Sequence, residues 1–424
     1  MTACGANTTG ETRSPAEEEA ARYRYNAEVY LARTIGRKKL LLAVLFVLLG
    51  SFGTYELVAR YNDPARIVKK CAHSDNKSLC YATEVESVLR ARGIPAAFDV
   101  LAVAYDTDTE LAATCHAVTH ELGAAAYEEF HKTGNTELTS KASYCGYGFY
   151  HGFMDALYLD TNNMEEARAF CTYVGNNVPH PPPPEFAEGS CYHGIGHGIT
   201  DGTDPRLWGD ALAILKPGLA ICDKVAAGND SWHMRCVSGV FNGLGNMYTD
   251  PRYKLDSGTD PYELCRTGPF TDLERETCYD QMNTQAAFLG NNNLEAIVAF
   301  GKNIKNLHYR SVAIHEAVSL YIWILKGEKK SLAPEQVAVC ELSTETLKKN
   351  CVSGFVGGIM EFGTPERQYE EILQLCGADA FPNGLRTYCF SSLQQLSRYY
   401  YTPKLLGKIC TRVPDEYRDT NCQL

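Results

Sequence analysis

Two hydrophobic patterns run along the chain. Leu40 to Tyr55 reads LLLAVLFVLLGSFGTY without a charge, and beyond it apolar residues recur at three- and four-residue intervals, as in LAICD around Cys222 and ILQLC around Cys376. Strictly alternating apolar–polar runs are absent. The first pattern predicts one apolar helix, the second a succession of amphipathic helices without strands. The expected fold class is all-α: helical-hairpin repeats, α-solenoid-like or a curved helical array, preceded by one transmembrane helix.

Sixteen residues span about 24 Å as helix, short of a bilayer core of roughly 30 Å. Extension to Val58, with Glu56 snorkelling, supplies the length. The segment before Leu40 is long for a cleaved signal peptide, and no small-x-small site follows closely. Both points favour a signal anchor over residues 40–58, in contact with membrane. Arg33, Arg37, Lys38 and Lys39 precede the span, and Arg60, Arg66, Lys69 and Lys70 follow it. The positive-inside rule therefore does not orient it.

Cysteine does. Of 17 cysteines only Cys4 precedes the span, and the rest fall into neighbouring pairs: 71/80, 115/145, 171/191, 222/236, 265/278, 340/351, 376/389 and 410/422. No two-residue Cys spacing of a zinc finger occurs. Eight disulfides predict an oxidising, extracytoplasmic compartment (periplasm, cell exterior or secretory lumen) for everything after the anchor. The net charge of −11 and the lack of a basic block argue against nucleic acid as a partner.

Aligning the second cysteine of each pair exposes a repeat: Cys145-GYGFYHGFMDA, Cys191-YHGIGHGITDG, Cys236-VSGVFNGLGN and Cys351-VSGFVGGIMEF. Gly stands three residues after Cys (148, 194, 239, 354) and again seven after (152, 198, 243, 358). Asp155, Asp201, Asn246 or Glu361 stands ten after. Weaker copies begin at Cys278 and Cys389, and another at Ser311 with Ser in place of Cys. A spacing of about 38 to 46 residues, except across the long gap that Ser311 would fill, predicts stacked helical hairpins. On a helix, offsets of zero, three and seven share one stripe. Gly there costs about 1 kcal/mol against Ala, so its recurrence predicts close helix–helix contact. The first cysteine of each pair is expected to end one helix and the second to start the next. The resulting organisation is a cytosolic tail (1–39), the anchor (40–58), a His-bearing repeat region (65–330) and C-terminal repeats (331–424).

Candidate chemistry sits on the early repeats. His116 and His120 are four apart, as are His193 and His197, and His151 falls at the position of His197 in its own repeat. Asp155 and Asp201 each follow a histidine by four, which places them on the same helix face. These seven residues are the expected metal ligands, the aspartates either binding or orienting, and Glu121 beside His120 is the candidate general base. A divalent metal is implied, zinc first, iron or manganese next; a non-covalent haem held by two histidines ranks below these. Packed helices lie about 8–10 Å apart, so one ion cannot reach three in a straight row: either two ions bind, or the repeats curl into a cup, or some histidines stand behind the ligands. His315-Glu316 resembles half a zincin motif without its second His. Tyr399 to Tyr401 could line a glycan- or peptide-binding groove, although packing explains them more simply. No nucleophile elbow, P-loop or dinucleotide fingerprint appears in context. The expected function is an extracytoplasmic metal-binding protein, extending to a metal-dependent hydrolase or, second, an oxidase. The alternative is a stapled scaffold for a protein or a cell-envelope polymer.

Overall fold

The computed structural model describes residues 63–134, 136–179 and 184–422. The apolar stretch 40–58 and the tail lie outside the described residues. Among those described, no helix is long and apolar enough to cross a membrane. Residues from Pro64 onward form one compact unit. Its described residues hold α-helices and short 3₁₀ turns, with no strand.

Helix starts follow from capping chemistry. Asn163, Asn229, Asn293 and Asn306 each accept a hydrogen bond from a backbone N–H of the first turn, as do Asp210, Thr344 and Thr402. Thr271 and Glu274 close a reciprocal capping box. Each hairpin pairs an outer helix with an inner one. The inner elements pack in sequence: Thr109–Thr133, Gly148–Asp160, Pro184–Asp201, Asp230–Met247, Asp272–Gln281, Leu307–Gly327, Glu345–Phe362 and Arg386–Tyr400.

All eight neighbouring cysteine pairs are bonded, with Cα separations of 5.3–5.7 Å. The second cysteine does not start its helix as expected. Cys191 and Cys236 lie well inside Pro184–Asp201 and Asp230–Met247, because the helix begins upstream, in the second case at the Asn229 cap. Ser311, where the repeat lacks a cysteine, is buried and accepts a hydrogen bond from Asn350. A second device closes three of the loops. Arg275 donates to the carbonyls of Cys265, Gly268 and Phe270. Arg386 donates to those of Cys376, Ala378 and Phe381, and Arg418 to those of Cys410 and Val413. Each guanidinium satisfies carbonyls that the end of the outer helix leaves open.

The glycine stripe is where inner helices meet. A Cβ on Gly152 would overlap the carbonyl of His120, one on Gly239 that of His193, and one on Gly354 that of His315. Gly196 meets the carbonyl of Cys236 in the same way, so the 184–201 and 230–247 helices each present a glycine to the other. Buried aromatic side chains fill the space between inner and outer helices; Phe153 and Phe170 stack at 3.7 Å.

The row of inner helices curves until its ends meet. The 109–133 helix packs against the 307–327 helix. Tyr105 donates to the carbonyl of Phe362, Tyr144 donates to Glu366 at 2.8 Å, and Phe186 packs edge-on against Tyr400. One cavity is thereby lined from nearly every inner helix.

The stripe predicts a contrast within one helix. Gly354→Ala drives a methyl group into backbone and should destabilise by about 3 kcal/mol or more. Gly357→Ala, whose Cβ would meet nothing nearer than His315 Nε2 at 3.9 Å, should be neutral or stabilise by up to about 1 kcal/mol. Chemical denaturation of both variants checks this.

Candidate metal centre

Three inner helices bring five imidazoles into one cluster. His151, on the 148–160 helix, is its hub. Its ring centroid lies 5.2 Å from His116, 5.2 Å from His120, 5.0 Å from His193 and 4.7 Å from His197. His116 and His120 are 4.9 Å apart, and His120 and His197 5.7 Å. The expected inter-helix spacing of about 8–10 Å is undercut here because glycine lets the backbones touch.

One hydrogen bond fixes a ring proton, and two carboxylates face further ring nitrogens. His116 Nδ1 stands 2.8 Å from the Cys145 carbonyl, which can only accept, so the proton is on Nδ1 and Nε2 keeps a lone pair. His197 Nδ1 faces Asp201 at 3.1 Å, and His120 Nδ1 faces Asp155 at 3.5 Å. In both pairs the carboxylate is on Nδ1, leaving Nε2 for another role. A carboxylate behind a histidine is the common arrangement behind metal-binding imidazoles. His193 Nδ1 meets Ser238 Oγ at 3.0 Å. His151 is 4 % exposed, and its Nδ1 has no hydrogen-bond partner.

Metal-capable donor atoms fall into two groups, each within 4.8 Å: His116, His120 and His151, and Asp155, His197 and Asp201. Tetrahedral bonds of about 2 Å hold ligand atoms roughly 3.3 Å apart, so the first set would draw inward to close on one ion. His193 stands outside both groups and stacks on His151. Glu121 is exposed and belongs to neither: one residue after His120 is 100° round the helix, on the side away from the cluster.

Burial keeps most of these rings neutral. It pushes His116 down to about 3, helped by His120, and holds His151 and His193 well below the ordinary imidazole range. Burial acts the same way on His197, but Asp201 and Asp155 outweigh it and raise that group to about 9. Burial would raise Asp201, yet the charge and hydrogen bond of His197 bring it below the usual carboxylate range. His116, His151 and His193 are thus neutral imidazoles beside the His197–Asp201 ion pair. Metal ligation needs unprotonated imidazole.

The cluster opens on a cavity of about 330 Å³, whose histidine wall is His116, His151 and His193. Arg235, Asp280, Glu316 and Glu361 also line it. Burial raises Asp280 to about 6 and Glu361 to about 7, and lifts Glu316 well above the carboxylate range. Arg235 opposes each shift. Arg235 and Asp280 are absent from the sequence expectation, and Glu316 and Glu361 enter it only as half a zincin motif and as a repeat position. The repeat carried part of the signal, since Glu361 stands ten after its cysteine like Asp155 and Asp201, and Asp280 stands two after Cys278 as His193 does after Cys191.

A left-handed turn aims one wall of the cavity. Cys145, Gly146 and Tyr147 have φ of 61°, 64° and 61°. This presents the Cys145 carbonyl to His116 and places Tyr147 in the cavity lining. Left-handed backbone at two non-glycine residues is uncommon and is sustained only by surrounding structure.

No protein family, curated protein or solved structure matches the chain.

The raised carboxyls set a pH dependence. A group whose pKa is higher folded than unfolded contributes stability below its unfolded pKa and loses it as pH rises through the folded value. An Asp280→Asn/Glu316→Gln/Glu361→Gln variant keeps the neutral form at every pH. It should melt close to the native protein near pH 4 and progressively above it from pH 5 to pH 8. Calorimetric melting across that range checks the sign.

Proposed function

We propose that the chain is a membrane-anchored, extracytoplasmic metal-binding protein whose ion is held by the histidine cluster. The observation that carries this is the buried hub: five contacting imidazoles, with Nδ1 of His116 bonded to a carbonyl and Nδ1 of His120 and His197 facing carboxylates, around a His151 whose Nδ1 has no hydrogen-bond partner. An imidazole removed from water without a partner is costly, and an ion would remove that cost. His116, His120 and His151 are the proposed ligands, with His197 next to them. Asp155 and Asp201 orient His120 and His197 and supply negative charge.

An all-imidazole set with nearby carboxylates suits zinc first, with iron or manganese as the alternatives. Three ligands beside a cavity leave room for a further ligand from solution, the usual form of a catalytic site. The ion would supply Lewis-acid polarisation there, with hydrolysis the default reaction. The eight disulfides support an oxidising compartment. The apolar run 40–58 supports the anchor.

Elemental analysis of the purified full chain should find one equivalent of a divalent transition metal. His151→Ala should abolish it, while Asp201→Asn should weaken binding by roughly 10–100-fold. A folded, fully oxidised protein with no bound metal and no uptake from buffered zinc, iron or manganese would overturn the assignment.

A further inference from the structure

The wall opposite the histidines asks what the cavity admits. Five inner helices supply it with hydrogen-bonding side chains, including Asn242, Gln281 and Ser319, and Leu320 is its one aliphatic residue. Its other apolar surfaces are aromatic. Trp323 lines it while 42 % exposed, which leaves an indole face open to a ligand. Arg235 reaches in past Gly189, where a Cβ would stand 3.0 Å from its Nε, and lies over the Phe186 ring at 5.4 Å. It makes no ion pair with a described residue. His151, buried with Nδ1 unpartnered, also lines the cavity.

A second cavity of about 390 Å³ adjoins the first and shares Tyr147, Phe186, Glu361 and Tyr400 with it. Tyr144, Tyr399 and Tyr401 line its far part. The two neighbouring cavities together exceed one small molecule in length, the first lined mainly by polar side chains and the second by tyrosines with Phe186, Met360, Pro365 and Leu405.

From this lining we infer that the paired cavities bind a neutral oligosaccharide. Sugar rings present C–H faces that lie on aromatic rings, and hydroxyls that take paired hydrogen bonds from amides, carboxyls and guanidinium. An apolar ligand would leave these polar groups unsatisfied. A polyanion would meet three carboxyls against one arginine. Raised carboxyl pKa values agree with a neutral ligand, since an acid held near neutrality both donates and accepts. Successive sugar units occupy the two cavities, with the shared Tyr147, Glu361 and Tyr400 between them and Trp323 against a ring in the first. This goes beyond the metal assignment: it uses the same cavity but does not require the ion.

Calorimetric titration of the full chain with chitotriose, cellotetraose and maltotriose tests it, on native and chelator-treated protein. At least one sugar should bind with a Kd of about 1 mM or tighter. Trp323→Ala, at a partly exposed position, should weaken it about tenfold or more, and so should the isosteric Asp280→Asn. Binding retained after chelation separates this inference from the metal one, and metal without sugar binding sinks this inference alone. Absence of binding by all three sugars overturns it, as does binding that both variants leave unchanged.

Discussion

Contact between helix backbones at glycine is the constraint on which the rest of the structure depends. Ordinary side chains hold helices about 8–10 Å apart and would space the histidines along a row. With Gly152 against His120 and Gly239 against His193, each histidine's own backbone is the surface its neighbour touches. The rings of adjacent helices are thereby forced together at 4.7–5.7 Å. The packing stripe and the chemical stripe are two edges of the same helices. The small residues make contact, and positions two, six or ten after the cysteine reach the cavity in several repeats: Tyr147 and His151, His193, Ser238 with Asn242 and Asn246, Asp280, and Glu361.

The sulfur bridges and the glycines divide the labour. Bridges such as Cys171–Cys191 and Cys222–Cys236 tie an outer helix to the inner helix that follows it, whereas Cys115–Cys145 joins the 109–133 helix to the turn before the 148–160 helix; all are local links over 9 to 30 residues of sequence. Such links stabilise by limiting the unfolded chain, by about 2–4 kcal/mol each. Apart from Cys115–Cys145, they do not set how one inner helix meets the next. That is left to the glycines and to tyrosines that bridge distant segments, Tyr105 to Phe362 and Tyr144 to Glu366.

The cysteine pairs, the all-helical character and the convergence of the histidines were legible because each is written in local spacing. Cys191 with Gly194, His197, Gly198 and Asp201 is readable as one helix face without knowing any partner. What was not legible lives on contacts between distant segments. Arg235, Asp280, Glu316 and Glu361 share a cavity only because the row bends until the 307–327 helix reaches the 109–133 helix, and nothing in the local spacing states that angle. Glu121 erred for a simpler reason: adjacency in sequence is not adjacency on a helix. The Arg275 and Arg386 loop clamps had a signal that went unread, since each arginine stands ten residues after the first cysteine of its pair.

The left-handed turn at Cys145 joins two kinds of chemistry. The residue whose sulfur is bridged to Cys115 also offers the oxygen that sets the proton on His116, the very next residue after Cys115. Until that bridge forms, nothing covalent holds Cys145 beside His116, and its imidazole is free to take either tautomer. The Cys115–Cys145 bridge and the protonation of His116 thus hang on the same three left-handed residues, and a change at that turn would reach sulfur and imidazole together.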